Sequence, residues 1–152
     1  MPVLLQIVDN TTDSALIEQL EKIYTDSQPE RLTLNGDKNP LSVTQFVSAV
    51  LADPAQQFYC ALFNQRLIGA IVINPTADHW QASHFCVRKV TRRRRVGTRL
   101  LELTLNAAQQ AGQTLKIPAQ DMLTPDHILL QRMGYLLAEE NEHYLLTQRP
   151  AK

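Results

Sequence analysis

Arg92, Arg93, Arg94 and Arg95 form an unbroken cationic run, followed at once by Val96, Gly97 and Thr98 and then by an apolar-periodic stretch through Leu105. Guanidinium groups are permanently charged forks whose N–H donors match the oxygens of a phosphate. A helix that begins just beyond them adds a first turn of unpaired backbone N–H groups and the positive end of its dipole, and both attract an anion. The residues before the run, Phe85-Cys86-Val87-Arg88, are strand-like. A strand that passes through a cationic turn into a helix start is a device for holding phosphate. Four arginines alone would read as a solvated face; the strand before them and the glycine and helix after them give the run its meaning.

The rest of the composition makes that run a local feature. The chain has 152 residues, 44% of them apolar and 20% charged, with lysine plus arginine equal to aspartate plus glutamate. Such a chain can bury a sizeable core as one domain spanning residues 1–152. Zero net charge argues against a general nucleic-acid binder, which carries a basic excess, and one basic run lacks the aromatic platforms that single strands stack on. No apolar run reaches the length of a membrane span, and the first residues lack the pattern of a secretion signal. A cytoplasmic protein is the expectation. Cys60 and Cys86 lie far apart in apolar, strand-like segments, which suits buried thiols better than a disulfide. His79, His84, His127 and His143 show no paired ligand spacing, so no metal is expected.

The elements that must position the cationic turn are legible from periodicity and punctuation. Val3 to Val8 is a β-rich opening strand. Asp13 to Tyr24 carries Leu16, Leu20, Ile23 and Tyr24 at helical spacing. A loop, Gln28 to Pro40, precedes Ser42, which with Gln45 has the spacing of a capping box; the helix it opens ends at Asp53-Pro54. Phe58–Phe63 and Leu67–Ile73 read as strands of a hairpin around Asn64-Gln65-Arg66, and Trp80–Arg88 as the next strand. The central helix runs from about Arg95 to Ala111, with Gly112 as its stop. Thr114–Ile117 is a short strand, Thr124-Pro125 starts a helix closed by Gly134, and Tyr135–Ala138 with His143–Thr147 form a last hairpin. The order β-α-α-β-β-β-α-β-α-β-β implies an α+β (mixed α/β) fold with a central, mostly antiparallel sheet and flanking helices.

That order, together with the turn between the fourth strand and the third helix, resembles the GNAT superfamily of acetyl-CoA-dependent N-acetyltransferases. Within it, Val87 to Arg94, Val96-Gly97 and Leu100-Leu101-Glu102 look closest to the PanZ-like proteins, acetyl-CoA-binding maturation factors of aspartate 1-decarboxylase. Phe63-Asn64-Gln65-Arg66-Leu67 is similar to the hairpin of that group. The resemblance implies that acetyl-CoA lies across a splay between the fourth and fifth strands. Phe85, Cys86 and Val87 would then offer backbone groups to the pantetheine arm, and Arg92, Arg93, Arg94, Arg95, Val96, Gly97 and Thr98 would wrap the pyrophosphate. The sequence departs from the family pattern at Arg95, where the motif's first glycine is expected. An arginine there needs an ordinary helical φ or some strain, and its side chain is placed to reach the ligand's 3′-phosphate.

Two functions follow from the resemblance. One is acetyl transfer from acetyl-CoA to an amine; the other is a non-catalytic acetyl-CoA sensor that promotes maturation of aspartate 1-decarboxylase. Transfer needs a base for the incoming ammonium, and His84, in the strand before the turn, is the candidate. Its plainer reading is a strand histidine satisfied by hydrogen bonds. Asp121, Glu139, Glu140 and Glu142 are further candidates that read more simply as solvated surface. Many members of the superfamily carry a tyrosine acid a few residues before the Gly-aromatic pair that ends the last helix; here Leu130 stands in that place. Tyr135 reads as a packing aromatic, and nothing in the sequence places Tyr144 near the thiol. The acceptor amine and the choice between monomer and homodimer stay open at this level.

Overall fold

A computed structural model describes residues 3–9, 14–27, 32, 40–76, 79–89, 96–118, 128, 130–132, 135–140 and 143–148, with the backbone alone at 118, 135–140, 143, 144 and 146–148. Apolar alternation along the strands gives one twisted layer with two faces to cover. The strands are β1 (Leu4–Val8), β2 (Gln57–Phe63), β3 (Arg66–Pro75), β4 (His79–Val87), β5 (Thr114–Pro118), β6 (Tyr135–Glu140) and β7 (His143–Gln148). They form a single sheet in the order β1-β2-β3-β4-β5-β7-β6. Every neighbouring pair is antiparallel except β4 and β5, which run parallel. A parallel pair needs a crossover, and the helix between these two strands supplies it.

Each face has its own helices. α1 (Ser14–Thr25) buries Leu20, Ile23 and Tyr24, and α2 (Val43–Ala52) buries Phe46, Val47, Val50 and Leu51. With Val8, Phe58, Cys60, Ala70, Val72 and Cys86 they make one core. α3 (Val96–Gln110) covers the opposite face, where Leu100, Leu101 and Leu105 pack with Tyr59, Ile71, Ile73, Ala82 and Leu115. Val96, in the first turn of α3, packs in the same cluster as Val87 at the end of β4.

The local signals read from the sequence are present as chemistry. Ser42 Oγ accepts from the Gln45 N–H at 3.1 Å and Gln45 Oε1 accepts from the Ser42 N–H at 3.1 Å, the reciprocal capping box. Gly112, at φ 73°, ends α3 in a Schellman motif: its N–H donates to the Gln109 carbonyl and the Gln113 N–H to the Ala108 carbonyl. The β2–β3 hairpin is tighter than its sequence suggests. Arg66 pairs with Phe63, so the turn is Asn64-Gln65 alone, both at positive φ. Arg88 lies just past β4 rather than inside it. Ile128 and residues 130–132 take helical backbone; the expected start at Thr124-Pro125 and stop at Gly134 lie outside the described residues. Cys60 and Cys86 are both buried thiols on the α1–α2 face, not joined in a disulfide. Among the described residues no helix is long and apolar enough to cross a membrane.

Candidate functional site

The sheet opens between β4 and β5. Their ladder joins His79, Trp80 and Gln81 to Thr114, Leu115 and Lys116 and stops there. β5 goes on to pair Ile117 and Pro118 with β7, while β4 continues from Ala82 to Val87 with no strand among the described residues on its β5 side. At ~3.3 Å per residue this leaves roughly 20 Å of β4 beyond the ladder, bordering the cleft where the two strands part. The cleft lies beyond the C-terminal ends of two parallel strands, the place where open α/β sheets receive ligands. An extended ligand rich in amides can lie along such an edge as an additional strand would.

Within this edge β4 carries a bulge. Ala70 pairs with Cys86 and Val72 with Ser83, so His84 and Phe85 together oppose Ile71. Alternation would place Ala82 and Cys86 on one face; the extra residue sends Ala82 to the α3 side and Cys86 to the α1–α2 side. His84 takes φ 55°, a left-handed conformation uncommon for a residue with a side chain. Its carbonyl accepts from the buried Tyr24 hydroxyl at 2.7 Å, its Nδ1 lies 2.8 Å from Ser83 Oγ, and its ring packs on Phe46 at 4.8 Å between centroids. Burial holds the Tyr24 phenol well above its ordinary pKa, with the neighbouring Cys86 and Cys60 adding to the shift, so it remains a donor.

The end of the strand is held by a second restraint. Asp26 Oδ2 accepts from Arg88 Nε at 2.9 Å and from the Lys89 N–H at 2.9 Å. After the arginine run, Val96 and Gly97 are buried in the first turn of α3 and Thr98 is half-buried. The first N–H groups of α3 have no partner within the helix and are the donors a phosphate would use. Arg92, Arg93, Arg94 and Arg95 lie outside the described residues, so the side chain of Arg95 is not placed.

Other candidates separate clearly. Phe85 packs partly buried against the α3-side core, and Cys86 and Val87 are buried, which leaves their backbone as what they offer the cleft. Leu130 is 4% exposed and belongs to the cluster that holds Val87, Val96 and Ile117, from the end of β4, the start of α3 and the end of β5. Leu130, which holds the sequence position where the superfamily's tyrosine was expected, is thus part of the α3-side core. Glu139 and Glu140 sit on β6, the outer strand, with β7 between them and β5. Tyr144 stands opposite Ile117 in the β5–β7 register, and Tyr135 opens β6. Asp121 and Glu142 lie outside the described residues. Sequence reasoning passed over Tyr24 and Asp26. Tyr24 falls in the apolar stripe of α1 and looks like core; Asp26, just past its end, looks like surface.

Comparison with known proteins agrees with this geometry. The model of the family described as "Acetyltransferase (GNAT) domain, PanZ" matches residues 2–123. No curated protein matches the sequence. Among solved structures, an aminoglycoside 6′-acetyltransferase type Ii superposes with a TM-score of 0.66 at 18% identity, over 97% of this chain and 99% of that one. YhhK of E. coli, a putative N-acetyltransferase bound to coenzyme A, gives 0.62 at 21% identity, over 97% of this chain and 100% of its own. PaiA N-acetyltransferase of Thermoplasma acidophilum, in complex with coenzyme A, gives 0.59 at 11% identity, over 99% and 100%.

Proposed function

The chain belongs to the PanZ family of acetyltransferase (GNAT) domains, and on that premise we propose that it binds acetyl-CoA in the cleft between β4 and β5. The observation that carries this reading is that the β4–β5 ladder ends at Gln81 and Lys116 while β4 runs on to Val87, with α3 starting at Val96. The pantetheine amides lie along Phe85, Cys86 and Val87, and the pyrophosphate sits on the turn from Arg92 to Thr98. The thioester comes to the bulge, where backbone N–H groups of the open edge can polarise its carbonyl. An amine that has shed its proton attacks the carbonyl carbon, the C–S bond breaks, and the CoA thiolate departs. His84, whose Nδ1 lies 2.8 Å from Ser83 Oγ, is the candidate for taking that proton.

A second reading is favoured by the buried Leu130, which stands where the tyrosine acid was expected and packs in one core with Val87, Val96 and Ile117. Without an acid there, the protein acts as an acetyl-CoA sensor whose liganded form binds aspartate 1-decarboxylase and promotes its maturation. The two readings part in a simple assay. A transferase consumes acetyl-CoA faster when an amine panel is added, and His84→Ala lowers turnover while leaving coenzyme affinity unchanged. A sensor leaves acetyl-CoA intact and accelerates decarboxylase self-cleavage only when acetyl-CoA is present. Under both readings Gly97→Val crowds the buried first turn of α3 and weakens acetyl-CoA binding by about tenfold or more. Equal affinity of that variant by calorimetry would put the phosphates elsewhere.

A further inference from the structure

Three residues at the end of α1 meet alternate residues of the open β4 edge. The Tyr24 hydroxyl donates to the His84 carbonyl at 2.7 Å. Cys86 Sγ donates to the Ile23 carbonyl at 3.4 Å. Arg88 Nε donates to Asp26 Oδ2 at 2.9 Å, and the same oxygen accepts the Lys89 N–H. This is the segment of β4 that has lost its β5 partner and whose register with β3 slips at the bulge. Helix–strand side-chain bonds here stand in for a missing ladder.

We propose that the C-terminal end of α1 positions the coenzyme-bearing part of β4, with Tyr24 setting the bulge and Asp26, just past the helix, fixing Arg88 and Lys89 as the chain leaves the strand; this rests on the acetyl-CoA reading above. The two residues act at different ends of the ligand. Tyr24 is 1% exposed and packs edge-on against Phe46 at 4.9 Å between centroids, so its hydroxyl has little freedom. It fixes the bulge, where the pantetheine arm and thioester lie. Asp26 binds a guanidinium and a backbone N–H with one oxygen and so fixes the chain where it leaves β4, ahead of the stretch proposed to hold the phosphates. Neither side chain need touch the ligand, so both are positioning residues rather than catalytic ones.

The test is calorimetry of the wild type, Tyr24→Phe and Asp26→Ala with two probes, acetyl-CoA and adenosine 3′,5′-bisphosphate, which lacks the pantetheine arm. Tyr24→Phe is expected to weaken acetyl-CoA roughly tenfold, the scale of one lost hydrogen bond, and to leave the bisphosphate unchanged. Asp26→Ala is expected to weaken both. Hydrogen exchange without ligand should quicken at residues 84–87 in Tyr24→Phe while α3 exchanges as before. Variants that bind like the wild type overturn the proposal alone. So does a Tyr24→Phe that loses both probes equally and exchanges faster throughout, since that is general loosening. A wild type that binds neither probe overturns the acetyl-CoA reading, and the positioning role with it.

Discussion

Asn64 and Gln65 both take positive φ, 51° and 64°, to close the β2–β3 hairpin in two residues. A turn of this kind matches the right-handed twist of the strands and asks for residues that accept the left-handed region. Asparagine accepts it readily, whereas glutamine carries about 1–2 kcal/mol of strain there. Glycine would remove that strain and cost about 0.5–1 kcal/mol in the entropy of the unfolded chain. Gln65→Gly is therefore expected to stabilise the protein by roughly 0.5–1 kcal/mol in urea unfolding. A destabilised variant would mean that the side chain of Gln65 supports the hairpin. His84, at φ 55°, has no such remedy, because its carbonyl, ring and Nδ1 are all engaged. Strain of about 1–3 kcal/mol held in place by surrounding contacts is a mark of a functional position. The sequence suggested His84 through its residue type and its place before the cationic turn. It could not show the bulge, which depends on how β4 registers against β3.

Among the elements, those specified by neighbours in sequence were the most legible. The capping box of α2 needs only Ser42 and Gln45, three residues apart, and both of its bonds form. Ser42→Ala should cost about 1 kcal/mol of stability, read from the shift in urea midpoint at constant slope. A midpoint within error of the wild type would mean that tertiary packing alone fixes the start of α2. The Gly112 stop is equally local, a glycine at φ 73° where the helix must turn left-handed. The cleft is different in kind. It exists because β4 is longer than its ladder with β5, and neither strand's own residues announce where that ladder ends. It entered the reading through family resemblance, and the register supports it. The roles of Tyr24 and Asp26 were hidden for a similar reason: their partners lie some sixty residues along the chain.

For the molecule as a whole, the two cores carry different consequences. The α1–α2 core buries titratable groups: Cys60 and Tyr24 are held above their ordinary pKa values, 9.0 and 10.0, chiefly by burial. Above about pH 9 the unfolded chain begins to release protons that the folded chain keeps, so it binds fewer of them and stability falls as pH rises. The slope is at most about 1.4 kcal/mol per pH unit for each group. Between pH 9 and 11, Cys60→Ala should therefore lose less stability than the wild type, whatever its own packing cost at neutral pH. Equal losses would show that the thiol does not contribute. The α3 core, by contrast, joins Val87 at the end of β4, Val96 at the start of α3 and Ile117 near the end of β5, and so ties together the elements around the proposed site. The sheet order, with β7 rather than β6 beside β5, was beyond reach of periodicity, because alternation identifies strands and not their neighbours.

All of these scales meet in one claim, that the open edge of β4 and the start of α3 hold acetyl-CoA. Calorimetric titration of the intact protein with acetyl-CoA and with CoA, at moderate salt, tests it most directly. The account predicts one site, on the order of micromolar affinity, weakening as salt screens the arginines. Absence of binding to both compounds would contradict it, and the arginine run would then be a solvated surface patch.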